Sequence, residues 1–419
     1  MTELPQPERH NPYFALQFKD FRLLLAGKFF ANLGEQMVGV AVGWQIYALT
    51  HSAFALGMVG LVEVLPVLLL SLPAGHLVDH ANRKTIVLVT KALLGLCSLS
   101  LGIITVRHLP LVYFYAVLLV MGCCWAYSNP AGGVLVTQTV PENAYSNSAM
   151  WSSNSWQLAS AIGPALGGFG VALFHGQSQV VYFSDAIMSL FVLMLLSQIT
   201  ERKDAAAHES YDLKSLLAGV QFLRDTPILL SAITLDMFAV LLGGATALLP
   251  VYAASILHVG PTGLGWLRAM PSIGASLMAI IIAHLPPFRR AGRTLLIAVA
   301  GFGLCTIVFG VSKSYPLSLA MLLLLGALDN VSVVIRSSLL LLRAPDAMRG
   351  RVSAVNSIFV GTSNEMGAFE SGTAAKLLGP VLSVVVGGIG TIVVVVLCAL
   401  RFPELVRLTT LEEEAEAFS

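Results

Sequence analysis

The chain has 419 residues, of which 56% are hydrophobic and 11% charged, and its mean hydropathy is +0.80. Soluble globular domains carry about 25% charged residues, so this composition excludes a water-soluble protein and places the chain in a bilayer. A net charge of +1 gives no electrostatic case for a nucleic-acid partner, and the five cysteines (Cys97, Cys123, Cys124, Cys305 and Cys398) lie singly or adjacent in apolar runs, with neither disulfide nor zinc spacing.

The start, "MTELPQPERHNPYF", is polar and lacks the apolar core of a signal peptide. Twelve mainly apolar segments follow, each near the roughly 20 residues that a spanning helix needs. They are read at 22–49, 54–78, 84–106, 110–136, 147–174, 180–199, 227–256, 262–285, 294–312, 316–342, 352–378 and 381–401. The long polar interruption at 200–226 splits them into two groups of six. The expected fold is therefore an all-α membrane protein of twelve transmembrane helices. Its parts are an N-terminal six-helix bundle at 1–199, a linker at 200–226, a C-terminal six-helix bundle at 227–402 and a tail at 403–419. Within the linker, Leu213, Leu216, Leu217, Val220 and Leu223 recur at helical spacing, which predicts an amphipathic helix on the membrane surface. The ending "LEEEAEAFS" reads as a solvated acidic end.

Orientation follows from Lys and Arg placement. With the N-terminus inside, the cytoplasmic segments collect Arg9, Lys19, Arg22, Arg83, Lys84, Lys91, Arg202, Lys203, Lys214, Arg224, Arg289, Arg290, Arg293, Arg343, Arg349, Arg351, Arg401 and Arg407, while the outer loops hold Arg107, Lys313 and Lys376. Both termini are expected to be cytoplasmic.

The two halves resemble each other. At an offset of 204 residues Asn32 matches Asp236, Gly39 matches Gly243, Pro141 matches Pro345, Gly163 matches Gly367 and Gly168 matches Gly372. At an offset of 208, Leu56-Gly57 matches Leu264-Gly265 and His76 matches His284. A duplicated unit predicts parallel repeats with a binding site between them near the midplane.

An ionised side chain at the bilayer centre costs roughly 3 kcal/mol on insertion scales, so those within spans are candidates for function. They are Lys28, Glu35, Glu63, Asp185, Asp236, Arg268, Asp329, Arg336, Glu365 and Glu370. Asp185 lies near a span end and reads as interfacial. Glu35, Glu63, Asp236, Asp329, Glu365 and Glu370 are read as proton- or substrate-coupling groups, with Arg268 and Arg336 as balancing cations. Asp329 and Arg336 stand two turns apart, so each is expected to meet a group on another helix. Seven acids against three bases leave a surplus that either protons or a bound cation must meet. Asn32, Gln36, Asn129, Asn154, Gln157 and Asn364 are read as polar lining of a cavity, to which Asn147 adds. Trp44, Trp125, Tyr127 and Trp151 could stack on a bulky ligand.

"GHLVDHANRK" at Gly75 puts His76, Asp79 and His80 on one helix face. Two histidines and one carboxylate fall short of a metal site, and no metal or other cofactor is expected. No zinc-protease, nucleotide-loop or nucleophile-elbow motif occurs, so no enzyme is expected. The same stretch resembles the cytoplasmic loop motif of the major facilitator superfamily, a glycine and an aspartate followed by paired basic residues. Gly75, Asp79, Arg83 and Lys84 match it. His80 stands where arginine is usual, replacing a permanent cation with a titratable one. Asn82 stands where glycine is usual, and asparagine tolerates left-handed backbone. "GPALGG", with Gly163, Pro164, Gly167 and Gly168, resembles the fifth-span motif of proton-coupled drug antiporters, although the fourth-span arginine of many antiporters is missing. "FRLLLAGKFFANLGEQM", "QIYALTHSAFALG", "LKSLLAGVQFLRDTP" and "PDAMRGRVSAVNS" resemble the bacterial siderophore (enterobactin) exporter-like branch, with drug-efflux proteins nearby.

The resemblance covers about residues 18 to 402 and implies alternating access and proton-coupled efflux of a siderophore-like or drug-like small molecule. It implies a monomer in the bacterial inner membrane, with protons and lipid as its other partners and Gly75, Asp79, His80, Arg83 and Lys84 at a cytoplasmic gate. The alternatives are a lipid or lysophospholipid transporter of the same fold and a non-transporting membrane sensor.

Overall fold

The computed structural model describes residues 11–200, 213–286 and 288–409. The readings placed on Arg9, on the linker residues 201–212 and on the acidic ending lie outside them, as does the side chain of Asp79. The described chain is helical almost throughout. Its helices are α1 (Lys19–Thr50), α2 (Ala53–His80), α3 (Arg83–Val106), α4 (Leu111–Gln138), α5 (Tyr145–Leu173) and α6 (Gln179–Ser197), then α7 (Leu213–Asp225). The second half has α8 (Pro227–Leu242), α9 (Leu249–Val251), α10 (Gly260–His284), α11 (Ala291–Val311), α12 (Tyr315–Arg343), α13 (Asp346–Leu378), α14 (Pro380–Arg401) and α15 (Pro403–Arg407). Among the described residues, ten helices are long and apolar enough to cross a membrane. The other two expected spans coincide with α1 and α13, which have 32 and 33 residues but carry more charge.

Local chemistry sets many of the boundaries. Ser52 Oγ accepts from the Ala55 amide and Asn82 Oδ1 from the Thr85 amide, capping α2 and α3. Proline opens α8, α10, α12 and α14, where its missing N–H costs nothing. At the opposite end from the termini, His51, His108, His175 and His258 adopt positive φ of 48–56° as helices turn back, a conformation that histidine tolerates better than most residues. Asn82 does not use this freedom. Its φ is −68°, and it replaces glycine as a helix cap.

The span expected at 227–256 is broken. α8 stops at Gly243, and a 3-10 turn (Ala245–Leu248), α9 and a π turn (Tyr252–Ile256) complete the crossing. The two consecutive glycines remove helix-favouring side chains at the break.

In the first half α1 packs on α5 and α6, α2 on α4, and α3 on α4 and α6. In the second, α8 packs on α13 and α14, α10 on α12, and α11 on α12 and α14. Two pairs join the halves, α5 with α10 and α2 with α13, and both close through glycine. A Cβ added to Gly57 would lie 3.0 Å from Gly372 Cα, and one added to Gly168 would lie 2.8 Å from Gly265 Cα. Such contact lets backbones approach where there is no hydrophobic drive between helices in lipid. Gly57 and Gly265 are repeat partners, as are Gly168 and Gly372, so the two seams are the same contact made twice.

All these joints lie toward the end opposite the termini, where Tyr47 also hydrogen-bonds Ser255 (2.7 Å). Toward the termini the same helices leave Asn154 and Ser153 of α5 and Ser357 and Asn364 of α13 exposed. Polar side chains at membrane depth seek water or partners, so the halves part there into a polar crevice.

Two expected cavity residues have another task. Asn147 Oδ1 accepts from the Ala15 amide (2.9 Å), and Asn147 Nδ2 and Trp151 Nε1 both donate to the Pro12 carbonyl (2.8 and 3.0 Å). They bind the segment before α1 to the start of α5. The amphipathic α7 is likewise docked rather than merely laid on lipid, because Gly219 sits against the Arg351 carbonyl of α13 and Leu223 is buried. Gly168→Leu should force α5 from α10 and destabilise the fold by roughly 1–3 kcal/mol, seen as a lower thermal midpoint in detergent. Gly132→Leu, at a glycine with open space around it, should leave the midpoint nearly unchanged.

Candidate functional site

One turn below the glycine seam, on the termini side, three charges meet. Along α2, Gly57 and Gly60 face α13 and Glu63 follows. Along α13, Gly372 and Ala368 form the seam and Glu365 follows. On α10, Arg268 follows Gly265 by three residues. A Cβ added to Gly60 would lie 3.2 Å from Glu365 Oε2, which places that carboxylate at the start of the crevice. Arg268 Nη1 donates to the Gly39 carbonyl of α1 (3.1 Å), and the guanidinium lies in electrostatic reach of both Glu63 and Glu365. One arginine of the second half thus engages two helices of the first half and one of its own. Two carboxylates against one guanidinium leave a single negative charge to be met.

A second cluster lies inside the first half. Lys91 of α3 pairs with Glu35 of α1 at 2.6 Å. Asp185 of α6 accepts from Ser98 Oγ at 2.5 Å, lies against Gly34 and lines the same cavity as Glu35 and Lys91. Asp185 is buried rather than interfacial. Lys91 is not a flanking cation either, since it stands eight residues beyond Arg83, about 12 Å along the helix. Its place in an otherwise apolar segment was the signal for this, and its closeness to Arg83 and Lys84 hid it. An adjoining cavity of about 120 Å³ brings together Lys28, Asn32, Lys91, Ser128 and Asn129.

The third cluster is in the second half. Arg336 of α12 forms an ion pair with Asp236 of α8, with both side chains buried. Asp329, two turns before Arg336, shares a small cavity with Asp236. The partner expected for Arg336 on another helix is therefore Asp236.

The other predicted residues are scattered. Gln36 Nε2 donates to Ser160 Oγ (3.3 Å) and Gly163 and Gly167 lie against Gln36 and Met37, so this face packs α1 on α5. Pro164 supplies the carbonyl beneath Gly265. Asn154 and Asn364 are exposed and Gln157 half-buried on the crevice helices α5 and α13. Glu370 stands on a different face of α13 from Glu365, within 3.4 Å of Ser371 Oγ. In the loop motif Gly75 is buried, and Lys84 Nζ donates to the Ser197 and Ile199 carbonyls (2.8 and 2.7 Å), closing the end of α6. His80 Nδ1 is 2.9 Å from the His76 carbonyl, with the two rings 4.3 Å apart. Among the described residues no group of three His, Cys, Asp or Glu side chains could hold a metal.

Comparison with known proteins places this fold. The sequence profile of the transmembrane secretion effector family matches residues 10–417. The chain belongs to this family of major facilitator transporters. It is 26% identical to the enterobactin exporter EntS of Citrobacter koseri over 393 residues, covering 92% of each chain. It is also 26% identical to EntS of Shigella flexneri, again with 92% of each chain covered. Among solved structures, the bacterial homologue of the human lysosomal transporter Spinster in its inward-facing, unoccupied conformation superposes with a TM-score of 0.71 at 14% identity, covering 94% of this chain and 97% of that one. The nucleoside transporter NupG gives 0.71 at 11% identity, with 91% and 99% covered. These structural likenesses carry the fold. The protein is a multi-pass membrane transporter of the major facilitator type, not an enzyme, and it is related to the enterobactin exporter.

In this transporter both members of the Asp236–Arg336 pair are buried, so breaking it should cost more than removing it. Arg336→Met alone should destabilise by about 3–5 kcal/mol, and the Asp236→Leu, Arg336→Met double variant by markedly less. Thermal unfolding in detergent is the measurement.

Proposed function

We propose that the protein is a proton-coupled exporter in which the halves 1–199 and 227–402 rock about the site below the seam. With the termini in the cytoplasm of a bacterial inner membrane, the crevice opens inward and the glycine seams close the outer face. The observation that carries this reading is the Glu63–Arg268–Glu365 cluster, set one turn inside the seam and made by helices of both halves. A cluster there feels both the opening of the seam and the occupancy of the crevice. When both acids are charged, each attracts Arg268 and holds the seam shut. A proton taken by one acid weakens that hold and favours the outward-open state. Differential stabilisation of two states is what coupling requires. Asp236, Asp329, Glu35 and Glu370 stand apart from this site and act, in this account, on their own halves.

The substrate is a small molecule bound in the crevice. Within the first half, a cavity with Lys28, Asn32 and Asn129 supplies donors for an oxygen-rich group on the substrate, which suits siderophore-like cargo, and the relatives that match along 92% of the chain are named as enterobactin exporters. His80 at the gate loop packs against His76, with the two rings tilted by 42°.

In inverted vesicles, uptake of a catecholate siderophore should follow an imposed pH gradient and stop when the gradient is collapsed. Glu63→Gln and Glu365→Gln should each lower gradient-driven uptake at least tenfold while leaving expression unchanged. Wild-type rates in both variants, or uptake indifferent to the gradient, would remove the coupling claim.

A further inference from the structure

The second-half cluster has features that the proton-coupled reading does not use. Its cavity is lined by Asp236, Val240, Phe302, Asp329 and Ser332, from α8, α11 and α12. Its free volume is about 10 Å³, room for about one water-sized particle and far below the roughly 300–1,000 Å³ of small-molecule pockets, so its occupant is a single ion or water. Arg336 is engaged with one oxygen of Asp236, Oδ1, leaving Oδ2 and both oxygens of Asp329 as acceptors. Ser332 lines the same space, is 2% exposed, and its Oγ has no hydrogen-bond partner among the described residues. A buried hydroxyl without a partner costs roughly 1–3 kcal/mol, and here it sits among carboxylate oxygens.

The backbone adds to this. α8 ends at Leu242, two residues beyond the cavity-lining Val240, before the break at Gly243 and Gly244. The C-terminal end of a helix carries partial negative charge. Broken membrane helices place such ends at cation sites in other transporter architectures. Charge arithmetic then selects the ion. Two carboxylates and one guanidinium sum to −1, which a monovalent cation neutralises and a divalent one overshoots. Oxygen-only ligands favour a hard cation.

We propose that Asp236 of α8, with Asp329 and Ser332 of α12, forms a binding site for a desolvated Na⁺ ion. The ion joins α8 to α12 beside the broken span and lies outside the Glu63–Arg268–Glu365 cluster. The site requires only the transporter fold, so its test is a binding measurement that proton-driven uptake does not enter.

The full-length protein, purified in detergent, is titrated with radiolabelled Na⁺ in choline chloride at constant ionic strength and at two pH values, 6 and 8. The expected result is one saturable site per chain, displaced by unlabelled Na⁺ and not by choline, with a thermal midpoint raised in NaCl relative to choline chloride. Asp329→Asn should weaken binding at least tenfold and Ser332→Ala about tenfold, while both keep the wild-type thermal midpoint in choline chloride to within a few degrees. Failure of wild-type protein to bind Na⁺ at either pH would overturn the proposal. So would a thermal midpoint equal in NaCl and choline chloride, the outcome expected if Asp329 takes up only a proton. Binding unchanged in both variants would show that the ion lies elsewhere and would equally overturn it.

Discussion

Arg268 is the interaction on which the two halves depend. A guanidinium within the membrane is costly, and it is held here only because four helices contribute to its surroundings. α1 gives the Gly39 carbonyl, α2 gives Glu63, α13 gives Glu365, and α10 carries the arginine itself. Gly39 leaves room for this approach, since a Cβ there would lie 3.0 Å from Arg268 Nη2. The same compactness governs the seam, where Gly57, Gly372, Gly168 and Gly265 bring backbones together. Small residues close the interface and a single cation marks its inner edge, so a motion that opens the seam must also disturb the charge cluster.

The clusters also show where duplication has given way to specialisation. The seams obey the repeat, since each joins the equivalents of the other. The charges do not. At the offset of 208, Arg268 corresponds to Gly60, and at 204, Glu365 corresponds to Ala161 and Asp236 to Asn32. The shared scaffold therefore supplies two equal joints, while the charges sit on one side of the symmetry. Each half keeps its own ion pair, the half-buried Glu35–Lys91 in the first and the buried Asp236–Arg336 in the second, made from unrelated positions.

Much of the architecture was legible because a bilayer restricts the backbone to few solutions. Runs of apolar residues marked the spans, and two of the glycine pairs that match across the halves, Gly57 with Gly265 and Gly168 with Gly372, proved to be the ones in the seams. The broken span at 243–256 was less legible, because Gly243-Gly244 in an apolar run reads as readily as continuous helix. For the charges, sequence gave depth but not direction. Glu35, Glu63 and Asp236 are all read as coupling groups within spans, yet they face three different clusters, since a rotation of some 100° per residue decides the partner. Lys91 was misplaced by its neighbours and Asp185 by its distance from a span end. Asn147 and Trp151 looked like cavity lining because nothing in α5 itself reveals that Pro12 and Ala15 return to it. His80 and Asn82 departed from the family's loop motif without disturbing the turn, as Asn82 caps α3 with its side chain.

The most direct test of this account is a distance measured by pulsed electron resonance between spin labels at Met150 on α5 and Ile281 on α10. Both residues are exposed toward the termini. The account predicts that acidification shortens this distance in the wild type, as weakening of the hold on Arg268 frees the seam and the crevice closes. It predicts a short distance at every pH in the Glu63→Gln, Glu365→Gln double variant. A pH-dependent shortening that survives in the double variant, or a wild-type distance that ignores pH, would contradict it.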